Sequence, residues 1–128
     1  MQTTSKRILI VDDDSDIVAN LSDILGDIGY RIATAADGER ALEILNEQCE
    51  SGTCAFDLCL LDFKMPGIDG VELLEQIRQI NPDLIAIMMT AYAGNDGVQR
   101  AVAAGTWKVL RKPVDIAQLL SMIDEAVT

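Results

Sequence analysis

Short apolar runs that stop abruptly on a polar residue recur along this chain, and each is followed by apolar residues at helical spacing. Ile8-Leu9-Ile10-Val11 stops at Asp12-Asp13-Asp14. Leu58-Cys59-Leu60-Leu61 stops at Asp62, and Met65-Pro66-Gly67 then keeps the run from resuming. Leu84 to Met89 ends in Thr90, and Trp107 to Leu110 is ended by Arg111-Lys112-Pro113. Runs of this length, bounded by turn residues, are what strands buried on both faces of a parallel sheet look like, although a buried helix segment shares the pattern. Arg31 to Ala35 is a weaker strand candidate.

Between the runs lie amphipathic helix patterns. Ile17, Val18, Leu21, Ile24, Leu25 and Ile28 recur at spacings of three and four, with Asp14 or Ser15 to cap the helix and Gly29 to end it. After an Asp37-Gly38 turn come Ala41, Leu42 and Leu45. Val71, Leu74 and Ile77 follow the Met65 to Gly70 turn and are stopped by Asn81-Pro82. A fourth helix, turned in by Gly94 to Gly97, carries Val98, Ala101 and Val102 up to Gly105. The last presents Ile116, Leu119, Leu120, Ile123 and Val127. Five strands starting about 20 to 27 residues apart, alternating with five helices, have the rhythm of βα units wound right-handedly over a parallel sheet. The chain's 128 residues suit one such α/β domain, doubly wound and spanning residues 1–128, with no repeat or linker.

Composition removes several kinds of function. Ten basic against 21 acidic residues give a net charge of −11, a surface that repels a phosphate backbone, so direct nucleic-acid binding is not expected. With no histidine there is no Ser-His or Cys-His dyad, no imidazole metal ligand and no phosphohistidine carrier. No apolar run approaches the roughly 18 residues of a membrane span, and Met1 to Lys6 is too short and polar for a signal peptide. A soluble, cytoplasmic protein with no membrane partner is expected. The three cysteines read as free thiols. Cys59 lies inside an apolar run as a core residue. Cys49 and Cys54 flank the polar loop Glu50 to Thr53, where a disulfide or metal pair is conceivable but further metal ligands are lacking. That loop falls at the sheet edge opposite the acidic residues and is assigned no catalytic role.

In a parallel sheet, the residues just past each strand gather along one edge, the edge where open α/β sheets bind ligands. Asp12 and Asp13 from the first strand would meet Asp62 from the third, Thr90 from the fourth and Lys112 from the fifth. Two like charges about 4 Å apart repel by about 4 kcal/mol at an effective dielectric near 20, so three clustered carboxylates need cationic company. One lysine cannot neutralise three carboxylates. A divalent ion can, and an all-oxygen set from Asp side chains, a carbonyl and waters suits Mg²⁺ or Mn²⁺ rather than zinc. A carboxylate beside such an ion, an ammonium and a hydroxyl is equipped to attack phosphorus, giving an acyl phosphate.

The arrangement resembles the receiver domain of two-component response regulators, over nearly the whole chain. The resemblance rests on Val11-Asp12-Asp13, on Leu61-Asp62 with Met65-Pro66-Gly67 and Asp69-Gly70 behind it, on Met89-Thr90-Ala91, on Ala104-Gly105 and on Lys112-Pro113, in order and at compatible spacing. It implies a flavodoxin-like fold, a five-stranded parallel sheet in the order 2-1-3-4-5. It makes Asp62 the phosphoacceptor in an Mg²⁺-dependent reaction, with Asp13 and Asp62 ligating the ion, Asp12 helping through water and the backbone carbonyl of Lys64 completing the set. Thr90 would bond one phosphoryl oxygen and Lys112 another, with the Lys112-Pro113 bond cis. The implied donor is a sensor histidine kinase or phosphotransfer protein. The implied output is a change in the surface of the fourth helix, fifth strand and fifth helix, read by an output domain, a downstream protein or a second copy of the chain. Such a domain assists its own phosphotransfer and dephosphorylation without being a multiple-turnover enzyme.

Other readings of the same residues stay open. Asp12 to Asp14 also suit helix capping. Asp12, Asp14 and Asp16 alternate like a calcium loop, but Ile17 stands where that loop needs Gly. The Asp-x-Asp of haloacid-dehalogenase-type phosphatases is imitated too, in a chain with little room for their cap. A small Mg²⁺ phosphohydrolase and a phosphorylation-independent docking or dimerisation module are the two alternatives to a switch. The module gains from Val109, which stands three residues before Lys112 where many receivers carry Tyr or Phe. Trp107, two residues earlier, is expected on the same side of the strand by period-two geometry. Lys64 and Tyr92 are expected to flank the water path to the phosphoryl group and slow its hydrolysis.

Overall fold

A computed structural model describes residues 6–50, 53–54, 56–65, 67–91 and 95–127, with the backbone alone at 49–50, 53–54 and 95–96. Its elements run β1 (Arg7–Val11), α1 (Ser15–Ile28), β2 (Arg31–Ala35), α2 (Gly38–Gln48), β3 (Cys49–Glu50), β4 (Thr53–Cys54), β5 (Leu58–Asp62), α3 (Gly70–Ile80), β6 (Ile85–Thr90), α4 (Asn95–Ala103), β7 (Lys108–Arg111) and α5 (Ile116–Val127). Five strands form one sheet in the order β2-β1-β5-β6-β7, all neighbours parallel. With the two-residue strands β3 and β4 set aside, this is the expected 2-1-3-4-5 order of a flavodoxin-like fold.

The β3–β4 hairpin departs from the expected loop at Glu50 to Thr53. It pairs Cys49 with Cys54 and Glu50 with Thr53 in antiparallel register. Strands of two residues are too short to leave an alternating pattern in a sequence. The cysteine side chains there, and with them the conceivable disulfide or metal pair, lie outside the described residues.

Strand alternation divides the interior in two. Leu9, Val11, Cys59, Leu61, Ala86 and Met88 face one way, against Ala41 and Leu45 of α2, Leu74 and Ile77 of α3, and Ala101 of α4. Ile8, Ile10, Leu58, Leu60, Ile87 and Met89 face the other, against Leu21 and Leu25 of α1 and Leu119 and Ile123 of α5. All five residues of β5 are buried, as expected of a central strand covered on both faces.

Local chemistry sets the helix ends. Asp14 caps α1 by accepting from the amides of Asp16 and Ile17, and Gly29 ends it at φ 120°, the left-handed conformation that glycine adopts without a Cβ clash. Asp69 and Glu72 form a reciprocal capping box at the start of α3. Two helices bury less than their sequence pattern implies. Ile28, in the last turn of α1, is exposed, and α4 turns Ala101 inward while Val98 and Val102 face out.

Trp107 contradicts the expected side. It packs with the α1 and α5 layer, whereas Val109 packs with the α2, α3 and α4 layer. The strand begins only at Lys108, and Trp107 sits in the bend before it, where strand alternation does not yet hold.

Candidate functional site

The carboxyl edge of the sheet collects the polar residues that end its strands. Asp12 follows β1 and is 1% exposed; Asp62 closes β5 and is 6% exposed; Thr90 closes β6 and is buried; Asp13 is exposed. Carboxylate oxygens of Asp12, Asp13 and Asp62 all lie within 4.8 Å of one another. The Lys112 ammonium reaches in from beyond β7 and bridges two of them, 3.0 Å from an Asp12 oxygen and 3.1 Å from an Asp62 oxygen. The Lys112–Pro113 bond is cis, as the family resemblance implied.

Backbone hydrogen bonds hold these side chains in place. Phe63 donates its amide to Met89 at 2.8 Å, Gly70 donates to Phe63 at 2.8 Å, and Lys112 donates to Thr90 at 2.8 Å. The turn behind Asp62 closes tightly because Gly70 has no side chain. A Cβ there would collide with the Asp62 carbonyl oxygen and lie 2.8 Å from the Met88 sulfur. Asp12 has one oxygen on the Asp14 amide, at 2.9 Å, and the other on Lys112.

Burial pushes the Asp62 carboxyl up to about 6, helped by the charge of Asp12, while its bond to Lys112 opposes the rise. For Lys112 burial acts downward, but its bonds to Asp12 and Asp62 outweigh it and raise the ammonium above its ordinary value. Three carboxylates and one ammonium leave a net negative pocket. A divalent cation fits it, since the clustered donors are all oxygens and a second cation would relieve the like-charge crowding of the carboxylates. An open cleft of about 250 Å³ lies beside this cluster, lined by Asp62, Lys64, Thr90, Ala91 and Lys112.

Of the residues expected from the sequence, Asp12, Asp13 and Asp62 cluster at this edge, Lys112 bonds two of them, and Thr90 and Lys64 line the cleft. Tyr92 lies outside the described residues. Phe63 has no counterpart among the expected site residues. Yet its buried ring reaches across to α4, and no spacing or composition signal marks that contact.

The response regulator receiver domain family matches residues 8–124. A response regulator receiver protein of Anaeromyxobacter sp. (strain Fw109-5) is 36% identical over 117 residues, covering 91% of this chain and 47% of that protein. The chain thus spans about half the length of that relative. Sporulation initiation phosphotransferase F of Bacillus subtilis is 36% identical over 115 residues, 90% of this chain and 88% of that protein. Among solved structures, the response regulator protein TrrA of Thermotoga maritima, in complex with Mg²⁺-BeF, superposes with a TM-score of 0.81 at 32% identity, covering 94% of this chain and 98% of that one.

Proposed function

The chain belongs to the response regulator receiver domain family, and from that membership we propose that it is a signalling switch which accepts a phosphoryl group on Asp62. The donor is the phosphohistidine of a sensor kinase or phosphotransfer protein. A carboxylate oxygen of Asp62 forms the new O–P bond as the donor's N–P bond breaks, and the imidazole leaves with the N–P electron pair. The attacking group is the carboxylate, so Asp62 must first have lost its proton, which a pKa of about 6 allows at neutral pH.

The observation that carries this reading is the Lys112 bridge, 3.0 Å to Asp12 and 3.1 Å to Asp62, beside a third carboxylate and an open cleft. Lys112 pairs with one oxygen of the incoming phosphoryl group and the Thr90 hydroxyl bonds another, holding charge that grows as the group transfers. Asp13, Asp62 and the Lys64 carbonyl would hold Mg²⁺ or Mn²⁺, with Asp12 helping through water. Such an ion, when bound, would offset negative charge on the carboxylates and the arriving phosphate. Phosphorylation adds negative charge at Asp62, draws Thr90 and Lys112 inward, and shifts an existing equilibrium at the surface of α4, β7 and α5. An output domain, a downstream protein or a second copy of the chain reads that surface, in the cytoplasm.

The test is incubation with acetyl phosphate and Mg²⁺. One phosphoryl group per chain, lost in Asp62→Asn, supports the switch; multiple turnover of a generic phosphate ester, equally lost in Asp62→Asn, would replace it with a phosphohydrolase. Val109 favours one other reading, a docking module indifferent to phosphorylation. Beryllofluoride that binds without altering α4, β7 or α5 would establish that module instead.

A further inference from the structure

Val109 leaves open how the state of Asp62 would reach α4, and the packing around Phe63 supplies an answer. Phe63 follows Asp62 directly, and its backbone is bonded on both sides, to Met89 and to Gly70. Its ring is buried and lies against α4 at Gly97, where a Cβ would be 2.8 Å and 3.1 Å from two ring carbons. Any side chain at position 97 would push the ring or the helix away. The same ring lines a narrow, mainly apolar slot with Met88, Thr90, Val98, Ala101 and Val109, too tight to admit a water molecule. Trp107 packs on the other face of the sheet, so among the described residues Phe63 is the aromatic side chain in this slot. The Arg100 guanidinium stands 6.0 Å from the ring centroid and pairs with Asp69, the cap of α3, at 3.3 Å.

We infer that Phe63, seated on Gly97, is the positioning residue that couples phosphorylation of Asp62 to α4, in place of an aromatic at position 109. The inference rests on the phosphoacceptor reading above. Thr90 is shared between the phosphate cleft and the slot, so a Thr90 drawn toward the phosphoryl group enlarges the slot. Packed interiors do not tolerate such voids, and the neighbouring ring moves into the space and changes its seat on α4. The helix then re-presents Val98 and Val102, which already face solvent.

The test compares wild type with Phe63→Leu, with and without beryllofluoride and Mg²⁺. Bound beryllofluoride is counted by fluorine NMR, and amide exchange is followed by mass spectrometry over residues 97–103. In wild type, beryllofluoride is expected to change exchange in α4. In Phe63→Leu it should still bind, but the bound-minus-free difference in α4 should be lost. A merely structural contribution would loosen both states and leave their difference intact. Gly97→Ala, which displaces the ring without removing it, should also weaken the difference and decides the matter should Phe63→Leu misfold. A full wild-type difference in either folded variant overturns the coupling role. Failure of beryllofluoride to bind wild type overturns the phosphoacceptor reading as well, so the two failures are told apart.

Discussion

Lys112 and Asp12 lie 100 residues apart in the chain and meet at 3.0 Å, the ammonium turned into a carboxylate whose side chain has no exposed surface. The contact joins the first strand to the last loop and leaves Asp62 to share the same cation. Removing one partner of a buried pair strands the other charge, at a cost of about 3 kcal/mol. Lys112→Ala should therefore lower stability by that order in urea unfolding without metal. Added Mg²⁺ should raise the melting temperature of the variant more than that of wild type, because the ion replaces the missing positive charge. Equal Mg²⁺ effects would place the binding site away from these carboxylates.

Stability should also depend on pH through Asp62. Its folded pKa, about 6, exceeds the ordinary 3.8, so between these values the native state holds the proton more often than the unfolded chain does. Its contribution is then fully present below about pH 4 and is lost as pH rises through about 6. Asp62→Asn lacks this loss. Its stability advantage over metal-free wild type should grow across that window and level off above it, as measured by urea midpoints. Mg²⁺ binding, which competes with the same proton, should weaken as pH falls through about 6.

Two glycines should respond oppositely to alanine. A methyl at Gly70 would collide with the Asp62 carbonyl and the Met88 sulfur, and overpacking of this kind costs about 1–3 kcal/mol. Gly70→Ala should lose stability and weaken beryllofluoride binding by displacing Asp62. At Gly26, inside α1, nothing lies within 4 Å of an added Cβ, and Ala there should gain about 0.5–1 kcal/mol. Thermal unfolding of the two variants decides both.

Lys64 lines the cleft beside Asp62 and is exposed. If its bulk and charge hinder the approach of water, Lys64→Asn should shorten the lifetime of phospho-Asp62. Decay of the labelled protein after removal of acetyl phosphate measures this, and an unchanged half-life would count against it.

Much of the fold was legible because a strand buried on both faces must be apolar throughout and must end somewhere. Val11, Leu61 and Met89 mark those ends, and the polar residue after each falls at the one edge a parallel sheet makes. The clustering of Asp12, Asp13, Asp62 and Lys112 follows from that topology. The β3–β4 hairpin was not legible, since two residues carry no period. The side taken by Trp107 was not legible either, since alternation holds only from Lys108, where the strand begins. The seat of Phe63 on Gly97 depends on how a helix settles over a sheet, a distance that spacing along the chain does not encode.

The division of the interior by strand alternation has a practical outcome. Leu60 looks onto α1 and α5, while its neighbour Leu61 looks onto α2, α3 and α4. Isotope-labelled methyl groups on these adjacent leucines would act as two observers back to back, each watching one compartment. Both stand within two residues of Asp62, so the spread of a disturbance into either compartment could be timed separately.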